Sequence, residues 1–132
     1  MKFIKSDNIY KITGLTNNDW TQILNFCFLG ICFDDKDNTE NTIQIIDLHF
    51  PEIDNTKVRT LHTELLKQVC AGLDSFNQSF ETNYSVSKIY YIPFLNGSNS
   101  IYRTLISFLI QHYHEGKEFQ EWYYDGTGFK EY

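Results

Sequence analysis

Residues 55–94 read NTKVRTLHTELLKQVCAGLDSFNQSFETNYSVSKIYYIPF, and this stretch decides the fold class. Val58, Leu61, Leu65, Leu66, Val69 and Leu73 fall on one helical stripe, whereas Lys57, Glu64 and Lys67 fall outside it. The spacing predicts a helix that starts at Asn55 and ends near Gly72. Asn77–Ser85 then reads as a polar loop, with Phe76 and Phe80 folding back onto the core. Ser87–Phe94, centred on Ile89-Tyr90-Tyr91-Ile92, reads as a strand, and Pro93 near its exit disfavours a central place in a sheet.

On the N-terminal side, Lys2–Ile12 alternates around Asp7-Asn8 and reads as a strand or short hairpin. Trp20, Ile23, Leu24, Cys27 and Phe28 follow a cluster of capping residues at helical spacing, which predicts a first helix over 17–28. Leu29–Phe33 is a buried strand, Asp34–Thr42 a polar loop and Ile43–Phe50 a further strand stopped by Pro51, so the two strands are expected to pair as a hairpin. On the C-terminal side, the turn at Asn96–Ser100 leads into a third helix from Ile101 to near Gly116. Phe119–Tyr124 and Gly128–Tyr132 flank Asp125-Gly126-Thr127 as a hairpin. The sum is an α+β fold over residues 1–132: a single domain with a mainly antiparallel sheet and about three helices.

With 132 residues, 42% hydrophobic and 21% charged, the chain has a globular composition and the length of one domain. A net charge of −6 argues against nucleic acid as a ligand, because phosphate binding draws on clustered Lys and Arg. The charge within Met1–Asp7 interrupts any signal-like apolar run, and the apolar run Phe26–Phe33 is too short to span a bilayer, so a membrane is not expected as a partner. Cys27, Cys32 and Cys70 cannot all pair with one another and lie in apolar surroundings, which suits a reducing cytoplasm.

The charge is concentrated. Residues 31–54 hold Asp34, Asp35, Asp37, Glu40, Asp47, Glu52 and Asp54 against Lys36 alone, which accounts for the whole net charge. Such a stretch steers a basic partner when its acids share one face; the plainer reading is a solvated hairpin tip. Asp34–Asn38 lacks the glycine and terminal glutamate of a calcium loop, and no cofactor or metal is expected. The C-terminal hairpin carries Phe119, Trp122, Tyr123, Tyr124, Phe129 and Tyr132 beside Glu118, Glu121, Asp125 and Glu131. Both faces of such a ribbon are hard to bury, so part of it is expected to serve as a docking edge, the alternative being that alternate rings simply pack inward.

Catalytic motifs are scarce. Asp47-x-His49-x-x-Glu52 is the nearest to a metal or acid–base cluster, since Asp47 and His49 share one strand face and Glu52 follows the strand end. No Gly-x-Ser-x-Gly or phosphate-binding glycine loop is present, and His112-Tyr113-His114 reads as the last turn of a helix, where His suits the dipole. The chain is therefore read as a non-enzyme, with a small metal-dependent hydrolase or nuclease built on Asp47, His49 and Glu52 as the alternative.

In its acidic stretch Asp34–Asp54, its aromatic ribbon Phe119–Tyr132 and its richness in Asn, Ile, Lys and Tyr, the chain resembles the bacterial immunity proteins of polymorphic-toxin and contact-dependent growth-inhibition systems. The resemblance covers the whole chain in character and implies tight stoichiometric neutralisation of a cognate protein toxin with a basic surface. On this reading Asp34, Asp35, Asp37, Glu40, Trp122, Tyr123, Tyr124 and Asp125 form the partner-binding surface of a cytoplasmic monomer or weak homodimer. A protein that mimics DNA shares the acidity, but its carboxylates would be spread over the fold, and here they gather in one stretch.

Overall fold

The apolar alternation of the strands and the single stripes of the helices resolve into one sheet carrying a helical layer. The computed structural model describes residues 2–13, 28–34, 43–48, 60–92, 101–124 and 129–131, of which 2, 13, 122–124 and 129–131 are described by their backbone. In chain order the elements are β1 (Lys2–Ser6), β2 (Ile9–Thr13), β3 (Phe28–Phe33), β4 (Gln44–Asp47), α1 (His62–Phe80), β5 (Val86–Tyr91), α2 (Ile101–His114), β6 (Gln120–Tyr124) and β7 (Phe129–Glu131). The sheet order is β4-β5-β3-β2-β1-β6-β7. Four of its neighbours pair antiparallel, while β1–β6 and β4–β5 pair parallel. The fold is thus α+β with a mixed, mainly antiparallel sheet.

The N-terminal and C-terminal hairpins form as expected. Asp7 turns the first at φ 55, a left-handed conformation that Asp tolerates better than most residues. The helix expected over 17–28 lies outside the described residues, apart from Phe28, which opens β3.

Several expectations are corrected. The runs Leu29–Phe33 and Ile43–Phe50 do not form a hairpin, because β5 lies between β3 and β4. Instead β4, α1 and β5 make a βαβ unit, with Ile45 opposite Ile89 and Ile46 opposite Tyr90 in a parallel ladder. Strand β5 is therefore interior despite Pro93; the ladder ends at Tyr91, ahead of the residue that lacks an N–H. Helix α1 does not stop near Gly72 but runs on to Phe80 and ends at Glu81, whose φ of 53 closes the helix in the left-handed region while its N–H bonds the Asn77 carbonyl. Strand β6 pairs with β1, so among the described residues the outer strands are β4 and β7.

Gly72 has a packing role. A Cβ built there would stand 2.3 Å from Ile106 Cγ2 and 2.8 Å from the Arg103 carbonyl oxygen, so only glycine lets α1 and α2 cross this closely. The Gln68 side chain accepts from the Tyr102 N–H at 3.0 Å, tying the start of α2 to α1. Beneath the helices, Leu65, Val69, Leu73 and Phe76 of α1 and Leu105, Ile106, Leu109 and Ile110 of α2 pack on Ile12, Leu29, Ile31, Ile89 and Tyr91. The opposite sheet face buries Ile9, Phe28, Cys32, Tyr90 and Ile92 with Leu48. Lys11 is buried with its ammonium 5.0 Å from the Phe28 ring centroid, and burial lowers its pKa to about 7. Among the described residues no helix is long and apolar enough to cross a membrane.

Candidate functional site

The register places one row of residues straight across six strands: Glu121, Lys5, Tyr10, Ile31, Ile89 and Ile45. Strands β1, β3 and β6 run in the same direction from this row, so Trp122–Tyr124 and Cys32–Asp34 continue toward the same end of the sheet. Three strand spacings separate β3 from β6, about 14 Å. The Asp7-Asn8 turn, the start of β5 and Ile43 ahead of β4 stand at this end too. Hence both described ends of the loop between β3 and β4, Asp34 and Ile43, lie at the same end of the sheet as the C-terminal hairpin, although about 90 residues of chain lie between Asp34 and Tyr124, whereas Asp47 of the same acidic stretch closes β4 at the opposite end.

Asp34 is half-buried and fixed. Its N–H donates to the Ser85 carbonyl at 2.9 Å, and Ser85 Oγ donates to its Oδ2 at 3.3 Å. Trp122, Tyr123 and Tyr124 lie on β6 opposite Glu131, Lys130 and Phe129. Asp35, Asp37, Glu40 and Asp125 lie outside the described residues.

Between these anchors stands an aromatic group that extends the site beyond the residues expected from sequence. Tyr113 lies 4.4 Å from Phe33, 5.1 Å from Tyr10 and 5.9 Å from Tyr84, ring centroid to centroid. Phe76 and Phe80 stack at 4.4 Å, and His114 meets both at 5.5 Å. Phe3 stacks on His112 at 3.8 Å, with Phe119 edge-on to it. Phe76 is in the core, but Phe80 is 48% exposed and Tyr113 37%, so the expectation that Phe80 folds onto the core is only half met.

Hydrogen bonds hold the group in place. Tyr84 Oη and His114 Nδ1 are 2.9 Å apart, and His112 Nε2 donates to the Glu118 carbonyl at 2.7 Å. Asn77 clamps the loop that carries Tyr84: its Nδ2 donates to the Tyr84 carbonyl at 2.9 Å, while its Oδ1 accepts from Thr82 Oγ1 at 2.8 Å and from the Tyr84 N–H at 3.0 Å. Burial, with help from Tyr113, raises the Tyr84 pKa, so the phenol stays protonated at neutral pH. Hydrogen bonds from Lys117, at 2.8 Å, and from Gln111 hold the Glu115 carboxyl below its usual range.

Of the Asp47, His49 and Glu52 group, only Asp47 is described. It sits at the end of β4 and accepts a 2.7 Å hydrogen bond from Nε2 of His62, the first residue of α1. That partner lies beyond the local spacing considered in sequence; the parallel β4–α1–β5 unit brings it back. Among the described residues, no group of three His, Cys, Asp or Glu side chains is placed to hold a metal ion. Burial raises the pKa of Cys32 and of Cys70, which keeps both thiols from acting as thiolates at neutral pH.

No protein-family model, curated protein or solved structure matches the chain.

Proposed function

We propose that this chain is an immunity protein that binds and neutralises a cognate bacterial toxin, in the cytoplasm, through the acidic and aromatic end of its sheet. The observation that supports the reading is convergence: the ends of the acidic loop between β3 and β4 and the aromatic hairpin share one sheet end, with the half-exposed rings Phe80 and Tyr113 in the aromatic group beside Asp34. A surface of this kind combines the two ingredients of tight recognition, long-range attraction and a desolvated aromatic centre. A toxin that cuts nucleic acid needs a cationic cleft for phosphates, and carboxylates presented from a rigid sheet end would occupy or cover it. Inhibition is then competitive and requires no catalysis by this chain.

On this reading Asp34, Asp35, Asp37 and Glu40 set the association rate and its salt dependence, while Trp122, Tyr123 and Tyr124, with Asp125, set dissociation. The test is stopped-flow binding to a candidate basic toxin domain, over a series of salt concentrations. The association rate should fall steeply between low and physiological salt; an association rate indifferent to salt rejects the electrostatic half, and a domain that neither binds nor is neutralised rejects the whole.

A second reading, a small metal-dependent hydrolase using Asp47, His49 and Glu52, draws on the Asp47–His62 contact, which shows that an imidazole and a carboxylate meet on this edge of the sheet. Calorimetric titration with Mg²⁺, Mn²⁺ and Zn²⁺ tests it, and absence of both heat and activity removes it.

A further inference from the structure

We propose that the partly exposed rings at the junction of α1, the β5 entry loop and the end of α2 form a seat for an arginine side chain of the basic partner. The seat consists of Phe80, Tyr84 and Tyr113, with His114 joining Phe80 to Tyr84 at 5.5 and 5.8 Å, and with Glu81 and Asp34 as its acidic border. This rests on the reading of the chain as a binder of a basic protein and assigns that partner's contact to one side-chain class at one place.

The rings are held, not loose. Tyr84 is fixed by Asn77 through its backbone and by His114 through its hydroxyl, and Phe80 is stacked on the buried Phe76. Phe33, Tyr84 and Tyr113 are packed at 4.4–5.9 Å between centroids and at steep to moderate angles, with Tyr113 exposed and Phe33 and Tyr84 half-buried. A ring face attracts a cation through its quadrupole, and a guanidinium does so while stacking and keeping its N–H groups for carboxylates. Two carboxylates neighbour the rings along the chain: the exposed Glu81 follows Phe80, and Asp34 follows Phe33 with its N–H on the carbonyl of Ser85, the residue after Tyr84. The same cluster already receives a cation from within the chain, for Lys5 Nζ lies 5.4 Å from the Tyr10 centroid. A purely apolar partner would instead have to bury this acidic border without compensating it, and a chain carrying −6 attracts the opposite charge.

The experiment is an NMR titration of the full chain with three short capped peptides that differ only in carrying two arginines, two lysines or two citrullines. The arginine peptide is expected to give saturable shifts centred on Phe80, Tyr84 and Tyr113, at least threefold tighter than the lysine peptide, with none from citrulline. Phe80→Ala should abolish the ring response and Glu81→Gln should weaken it about threefold; both positions are exposed, and unchanged dispersion of the remaining amide signals confirms the fold. Arginine and lysine peptides that bind alike and ignore Phe80→Ala overturn the seat, as does the absence of saturable ring shifts. If the arginine peptide binds here and no toxin is neutralised, the seat stands and the immunity reading falls. If a toxin is neutralised equally well by the Phe80→Ala and Glu81→Gln variants, the immunity reading stands and the seat falls.

Discussion

Gly72→Ala should lower stability, although alanine is the better helix former. In an exposed helix the change would gain about 1 kcal/mol from propensity. Here the new methyl group would meet Ile106 Cγ2 at 2.3 Å and the Arg103 carbonyl oxygen at 2.8 Å. Restoring ordinary contact at 3.4 Å requires a shift of about 1 Å, and the carbonyl is backbone, so the α1–α2 crossing itself must open. Overpacking costs about 1–3 kcal/mol, and a backbone clash belongs at the upper end, which leaves a net loss of about 2 kcal/mol. At about 2.1 cal/mol/K per residue, the unfolding entropy of this chain is about 0.28 kcal/mol/K, so the melting temperature should fall by about 7 °C. Urea denaturation followed by circular dichroism, together with a thermal melt, measures both quantities. Adding Ile106→Ala should recover part of the loss through the Ile106 contact but not the Arg103 one, giving a coupling energy of about 1 kcal/mol. A Gly72→Ala chain as stable as the parent, or more stable, refutes the close crossing.

Three further outcomes follow from the same packing. Folded Lys11 releases its proton near pH 7, whereas the unfolded chain keeps it until near 10.5, so between these values the unfolded state binds more protons and stability should rise with pH, by at most about 1.4 kcal/mol per unit. Urea midpoints at pH 7, 8.5 and 10 test the slope, and Lys11→Met should flatten it. Asn77→Ala removes three hydrogen bonds at the end of α1 and should cost about 2–3 kcal/mol; since those bonds hold Tyr84, amide exchange across residues 82–85 should accelerate more than exchange elsewhere. Asp47→Asn keeps an acceptor for His62 on an exposed edge and should change stability by less than about 0.5 kcal/mol, which a melt of the variant at neutral pH checks.

Much of this fold is legible along the chain, and what is not has physical causes. The stripes of α1 and α2 stand out because each buries one face only, and the Asp7-Asn8 turn and the sequence signal Asp125-Gly126-Thr127 mark the two hairpins. The β3–β4 hairpin was the natural expectation from two adjacent β-rich runs, yet local sequence carries no record that the later strand Val86–Tyr91 takes the place between them. Parallel pairing is decided by the crossover through α1, which is long-range. Gly72 read as a helix end because glycine marks C-termini as well as close crossings, and only the presence of Ile106 and Arg103 distinguishes the two. At the site, Asp34 and the β6 aromatics were legible as composition, but Phe80, Tyr84 and Tyr113 were not. Their signal was aromatic residues set in a polar loop and beside two histidines at a helix end, which acquires meaning only once β5 enters the sheet next to β3.

The topology separates what holds the protein together from what it offers to a partner. The helices pack on each other at Gly72 and over the β2, β3 and β5 strands, where the fully buried residues concentrate. Three described carboxylates at the functional end, Asp7, Asp34 and Glu81, follow strand or helix termini and are exposed or half-buried, so neutralising them removes charge without opening the core. Loop and strand-end positions on a rigid scaffold suit recognition for the same reason: they can be varied without cost to the fold. A variant with all three neutralised should therefore melt within a few degrees of the parent. If it also binds a basic partner with an unchanged association rate, these three carboxylates do not steer the encounter, and the acidic border assigned to the rings falls.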